Sequence, residues 1–138
     1  GKYAEALKDI NTELTAFSKK KVQLTLDKIK DFYNSQAYYT PTKPTPKKAL
    51  NPLFAIEKTT QEPLLQCLLQ LRRILTIHEG FRLQDVKRYG ITMYRRQVDV
   101  QSKVNAVTDS MKVGDPRLAI QLPQDVISAG ITPNPRNK

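Results

Sequence analysis

Histidine and cysteine occur once each in these 138 residues. A single cysteine, Cys67, excludes an internal disulfide, and one Cys with one His argues against a metal site. Cys67 stands in LLQCLL and reads as a small buried hydrophobe. His78, in LTIHEGF, has neither the orienting carboxylate nor the nucleophile that would make it a general base, and reads as a surface or capping residue. Glycine is scarce, with five residues that never cluster. That removes phosphate-cradling loops and dinucleotide fingerprints. The acidic residues are scattered, without the paired spacing of metal ligands, and no cofactor is expected. No internal repeat is visible, and no apolar run approaches the roughly 20 residues of a membrane span. The chain opens at Gly1 with no basic-then-apolar leader, so any targeting segment is expected to lie outside it. These absences point to a binding module and not to an enzyme.

What is abundant is positive charge. Lys and Arg number 23 against 13 Asp and Glu, for a net charge of +10. Counterion release would make a concentrated basic face a good phosphate binder. The cations are instead spread along the chain, at Lys19–Lys21, Lys47 and Lys48, Arg72 and Arg73, Lys87 and Arg88, and Arg95 and Arg96. Neither a recognition helix nor an aromatic-studded strand accompanies them, so direct nucleic-acid binding is not expected.

At 39% hydrophobic and 26% charged residues, the chain suits one soluble domain with a core plus a tail. Tyr3, Ala6, Leu7, Ile10, Leu14 and Phe17 recur at helical spacing and predict a first amphipathic helix over 2–17. Val22, Leu26, Ile29 and Tyr33 predict a second over 19–34. Closely spaced prolines then make 40–47 an extended linker. Asn51 and Pro52 form a helix-start signal for a short helix carrying Leu53, Phe54 and Ile56. Pro63 opens the most apolar helix, with Leu64, Leu65, Leu68, Leu69, Leu71, Ile74 and Leu75, which should be central. Leu68→Ala and Leu71→Ala are expected to cost about 2–5 kcal/mol. A further helix over 81–89 carries Phe81, Leu83, Val86 and Tyr89, and Gly90 is placed to end it as a left-handed cap. In RRQVDVQSKVNAV, Val98, Val100, Ser102, Val104 and Ala106 alternate with polar residues, which reads as one half-buried strand. The expected fold is therefore mainly α: a five- to six-helix bundle over 1–93, one strand over 94–109 that pairs poorly or with another chain, and an extended tail over 110–138.

The opening GKYAEAL, Gly1–Leu7, resembles the start of the oligomycin sensitivity conferral protein of mitochondrial ATP synthases and of its bacterial relative, the delta subunit. In that family the first helix begins Gly-Arg/Lys-Tyr-Ala-x-Ala-Leu. Three further features fall in the family's order. Pro63 and Leu64 stand where the family has Ser-Pro-Leu before its apolar helix. Phe81, Arg82 and Leu83 look like its Gly-Arg-Leu, and RRQVDVQSKVNAV is similar to its Arg-Gly-x-Val-x-x-x-Val-x-x-Ala strand. The resemblance covers about residues 1–107; residues 110–138 do not resemble the family's C-terminal domain, which is either missing from this chain or replaced.

The resemblance implies a non-catalytic stator subunit on the matrix side of the mitochondrial inner membrane. Its partners would be the ATP synthase alpha subunits, gripped by their amphipathic N-terminal helices, and the peripheral stalk. By the same analogy a groove for the partner helix lies between the first and fifth helices. Tyr3, Ala6, Leu7 and Ile10 would line one side and Leu83, Val86 and Tyr89 the other; core packing is the competing reading of each. Leu7→Asp or Val86→Asp would then weaken partner binding and leave the fold largely intact. Two alternatives stay open. LLQCLLQLRRILTI with YRRQVDVQSKVNAVTDSMK also looks like the helical peptide-binding module of transcription elongation factors, which has helices where the strand is read here. A basic structural protein of an organellar ribosome, threading its proline-containing tail through RNA, is the other.

Overall fold

A computed structural model describes residues 1–136. Along the chain run α1 (Tyr3–Phe17), α2 (Leu26–Ser35), α3 (Gln61–Leu75), α4 (Arg82–Tyr89), β1 (Met93–Val98), β2 (Val104–Met111), a 3-10 turn (Pro116–Leu118) and α5 (Gln124–Ser128). The expected helix bundle with one strand is overturned. Among the described residues, five α-helices and a two-stranded antiparallel sheet form a small mixed domain. The last two residues of the expected tail lie outside the described residues.

Helix α3 is central, as its apolar circumference predicts, because it faces two separate cores. On one side Leu64 and Cys67 join Ile10 of α1 and Ile29 and Tyr33 of α2. On the other Leu69 packs with Leu50, Val86, Ile91 and Leu118, flanked by Leu65, Tyr89, Met93 and Met111. Only α4 adds a further helix to this second core. Its other walls come from irregular chain and the hairpin, which is why no bundle forms. Leu68 is 39% exposed and Leu69 only 4%. The expectation that Leu68 is a core leucine is therefore corrected to its neighbour.

Helix boundaries follow capping chemistry. α2 begins at Leu26 and not at 19, because the Thr25 hydroxyl accepts the Lys28 N–H at 3.3 Å and fixes the N-terminus there. Val22, assigned to its stripe, is exposed. The Glu57 carboxylate accepts the backbone N–H groups of Thr60 and Gln61 at 2.8 and 3.0 Å ahead of α3. Hydrogen bonds from Thr59, Gln61 and Thr60 hold its pKa down at about 2. The short helix expected after Asn51 does not form. Asn51 instead donates its N–H to the Tyr89 carbonyl at 2.9 Å, and Leu53 stands fully exposed. A single helical turn there would carry the cost of nucleation with little burial to offset it.

The alternating stretch at 95–107 is not one strand but most of a hairpin, and its sheet partner lies within it. Arg96 pairs with Val107, Gln97 with Ala106 and Val98 with Val104, with register shifts between Arg95 and Arg96 and between Gln97 and Val98. The turn is built by Asp99, whose carboxylate accepts from Gln101 and Lys103 N–H groups at 3.0 and 2.8 Å. Ser102 takes φ 61°, the left-handed region. Val100, expected on the buried face, sits at the tip 94% exposed. The tail does not wander: Arg117 bonds Asp109 at 2.6 Å, Asp115 at 2.7 Å and the Ser110 carbonyl at 2.8 Å, and Leu118 enters the second core.

This packing ranks the leucines of α3. Leu69→Ala should lower the unfolding free energy by about 2–5 kcal/mol, and Leu68→Ala by less than half as much; urea midpoints of the two variants decide the order. Gly90 ends α4 at φ 60°, and a Cβ there would lie 2.1 Å from the Asn51 carbonyl oxygen. Gly90→Ala should cost about 1–3 kcal/mol for the left-handed backbone alone and more for the clash. A loss of stability confined to that backbone range would show that Asn51 yields, and a melting temperature unchanged from wild type would overturn both costs.

Candidate functional site

The residues assigned to a groove between the first and fifth helices split between the two cores. Leu7 packs half-buried against the first core together with Ile10. Val86 is 1% exposed inside the second, with Tyr89 against it, and Leu83 is exposed on α4. The structure does not bring α4 opposite α1. Val86→Asp would therefore place a charge in a core, and the expectation that it spares the fold is corrected.

A different groove is present. It lies between α1 and α3, with a cavity of about 440 Å³. Tyr3, Ala6 and Ile10 line it from α1, and Leu64, Leu68, Leu71 and Leu75 from α3. The four leucines recur at helical spacing along one stripe of α3. Lys2, Asp9, Glu13 and Arg72 give it a charged rim. Three of the seven residues assigned from the sequence thus face a groove, but across from α3.

A second concavity, of about 660 Å³, opens between the proline-rich segment, α3, the start of α4 and β1. Lys48, Arg73, Arg82 and Arg96 line it together with Tyr39, Tyr94 and Gln70. These cations are far apart in sequence, and only the fold gathers them. The proline-rich segment is not a free linker. Tyr39 N–H donates to the Lys47 carbonyl at 2.7 Å and closes it into a loop. Gln66, 2% exposed on α3, then clamps its far end: the Gln66 amide accepts Lys48 N–H at 3.0 Å and donates to the Lys48 carbonyl at 2.6 Å. From β1, Arg96 donates to the Pro41 carbonyl at 2.6 Å, to the Thr40 carbonyl at 2.9 Å and to the Tyr39 hydroxyl.

Cations cover the tyrosine rings on this wall. Lys48 Nζ stands 3.5 Å from the Tyr39 ring centroid and the Arg96 guanidinium 4.4 Å; Tyr39 and Tyr94 stack at 5.7 Å. Such contacts favour a cation in a partly dry setting, but they do not neutralise it. Burial first, and then the charges of Arg73, Arg82 and Arg96, bring the Lys48 amine down to about 8. Burial and Arg73 likewise push the Arg82 guanidinium below its usual range, against the opposing pull of Asp85. Asp85 itself is buried and bound by Arg72, at 3.2 and 3.3 Å.

Among the described residues no three His, Cys, Asp or Glu side chains converge on a possible metal position, and no helix is long and apolar enough to cross a membrane. His78 is exposed in the turn after α3. Cys67 is buried, its thiol pushed up by desolvation. No family, curated protein or solved structure matches the chain.

The Lys48 amine has a pH signature. It is about 8 in the fold against 10.5 for an unperturbed lysine, so between those values the unfolded chain holds the extra proton and stability rises with pH. Tyr33, pushed up to about 12 from 10.0 by burial and by Cys67, works in the opposite sense but only above 10. Urea midpoints of wild type should climb from about pH 8, until the raised Cys67 thiol begins to oppose the climb above 9.0, and Lys48→Met should flatten that climb. Equal slopes in the two proteins would place the Lys48 amine in open solvent.

Proposed function

We propose that this protein is a non-catalytic structural subunit of a larger assembly, and that it holds an amphipathic helix of a partner in the groove between α1 and α3. The observation that carries this reading is the leucine stripe of α3 facing Tyr3, Ala6 and Ile10 across an open cleft, with Leu68 39% exposed in its wall. An apolar cleft between two helices with charged edges is the form that takes a helix by anchors at i, i+3 or i+4 and i+7. Ala6 keeps the α1 wall low where such a helix would approach most closely.

The GKYAEAL resemblance nominates the partner: the N-terminal helical segment of ATP synthase alpha subunits, with the chain serving in the stator that joins the catalytic head to the peripheral stalk. That nomination rests on α1 and its groove, since the chain departs from the family's helix bundle beyond them. The elongation-factor alternative requires helices where the chain forms β1 and β2, and the hairpin speaks against it.

Calorimetric titration with a synthetic peptide of the mitochondrial alpha-subunit N-terminal helix tests the reading. Wild type should bind saturably, and Leu68→Asp should bind at least ~10-fold more weakly, the loss expected when an apolar anchor's site becomes charged, with its thermal melt retained. A wild-type protein that does not bind the peptide rejects the alpha subunit as partner. Equal binding by Leu68→Asp rejects the groove.

A further inference from the structure

We infer that the basic pocket between the proline-rich loop, α3 and β1 is a binding site for the phosphates of a single-stranded nucleic acid, independent of the α1–α3 groove. The four cations of this pocket are not equivalent. Arg96 commits its donors to the loop, on the carbonyls of Pro41 and Thr40 and the hydroxyl of Tyr39, and so builds the wall. Lys48 donates to the Thr45 carbonyl and lies over Tyr39. Arg73 and Arg82 make no ion pair or side-chain hydrogen bond among the described residues, although both line the cavity. Two guanidinium forks therefore face the cavity with their donors open, backed by the field of Lys48 and Arg96. Gln70 adds an amide to the same wall.

The mutual repulsion of these cations favours an anion among them. Burial first, and then Arg73, Arg82 and Arg96, disfavour the Lys48 cation, and burial first, and then Arg73, disfavour the Arg82 guanidinium. Asp85, the carboxylate that acts on Arg82, is buried and held by Arg72. A phosphate suits two converging guanidinium groups, because it presents several oxygens to their planar forks at once.

The pocket's shape selects among phosphate carriers. A concave site of about 660 Å³ admits a nucleotide turned out of a single strand, whereas the backbone of a duplex lies on a convex surface. Exposed Lys43, beside Pro44 at the mouth, extends the positive track for a flanking phosphate. With a net charge of +10 on the whole chain, a polyanion is also attracted over a longer range than a single phosphate. The Tyr39 ring is already covered by Lys48 and Arg96, so bases gain no stacking platform there. Recognition should follow the backbone and show little sequence preference.

Fluorescence anisotropy with labelled uridine and deoxyuridine dodecamers, which tell ribose from deoxyribose carriers, tests this in the whole 138-residue chain. Binding should weaken steeply with salt. Arg73→Ala/Arg82→Ala should bind about 10-fold or more weakly, with the slope of log K against log salt reduced by roughly 0.7 for each single-strand phosphate that is no longer neutralised. Lys19→Ala/Lys20→Ala, which removes the same charge from the exposed α1–α2 link, should keep most of the affinity. If the double variant at the pocket fails to fold, Arg73→Ala alone, at an exposed position, should still lower affinity and slope. Four outcomes overturn the proposal: no binding of either dodecamer by wild type, equal losses in the pocket and control variants, an oligoglutamate of matched charge competing as well as the nucleic acid, or inorganic phosphate and uridine monophosphate displacing the dodecamers at concentrations equal to their own.

Discussion

A side-chain amide that bonds both the N–H and the C=O of one distant residue is the device on which this fold depends. Much of the chain between the helices has no regular partner, yet its backbone polar groups must be satisfied where they approach the cores. Gln66 does this for Lys48 from within α3, as a neighbouring strand would. Asn11 does the same for Leu24 at 2.8 and 2.9 Å, and Gln121 for Asn134 at 2.9 and 3.0 Å. Gln66 has the largest consequences, because it holds the proline-rich loop against α3. Leu50 can then fill the second core, and Tyr39 and Lys48 can form one wall of the basic pocket.

The same arrangement separates two surfaces of different character. The face of α3 toward α1 is a leucine stripe with an open cleft, and the end toward α4 and β1 carries Arg73 into a cluster of cations. Helix α3 supports both, since its side chains radiate toward two cores and still leave Leu68 and Arg73 at the surface. A chain built this way presents an apolar cleft at one site and a cluster of cations at another, with no side chain lining both cavities.

Much of the helical framework is legible in the sequence. The amphipathic pattern of α1, the leucine density of α3 and the short helix before Gly90 all appear where periodicity places them, and Gly90 caps α4 in the left-handed conformation. Errors arise where periodicity carries no information about direction. Residues 95–107 alternate through a turn without glycine or proline, because Asp99 and Ser102 build that turn; alternation alone cannot distinguish one long strand from two short ones. Asn51–Pro52 is a sound helix start, but the Asn51 N–H is taken by the end of α4. Val86 and Leu83 share one helix and one apolar pattern, and only their neighbours make the first core and the second surface.

The candidate sites divide in the same way. The sequence by itself determined that the protein has a strongly basic chain and an amphipathic first helix with more apolar positions than one contact needs, since those are properties of composition and local period. Only the tertiary structure decided that Tyr3, Ala6 and Ile10 face α3 and not α4, and that Lys48, Arg73, Arg82 and Arg96 share one pocket. Spacing along a chain fixes what lies on the same face of one element. Which faces meet is set by long-range closure, here by Gln66 on Lys48 and by Arg96 on the proline-rich loop, and no local pattern encodes such pairs.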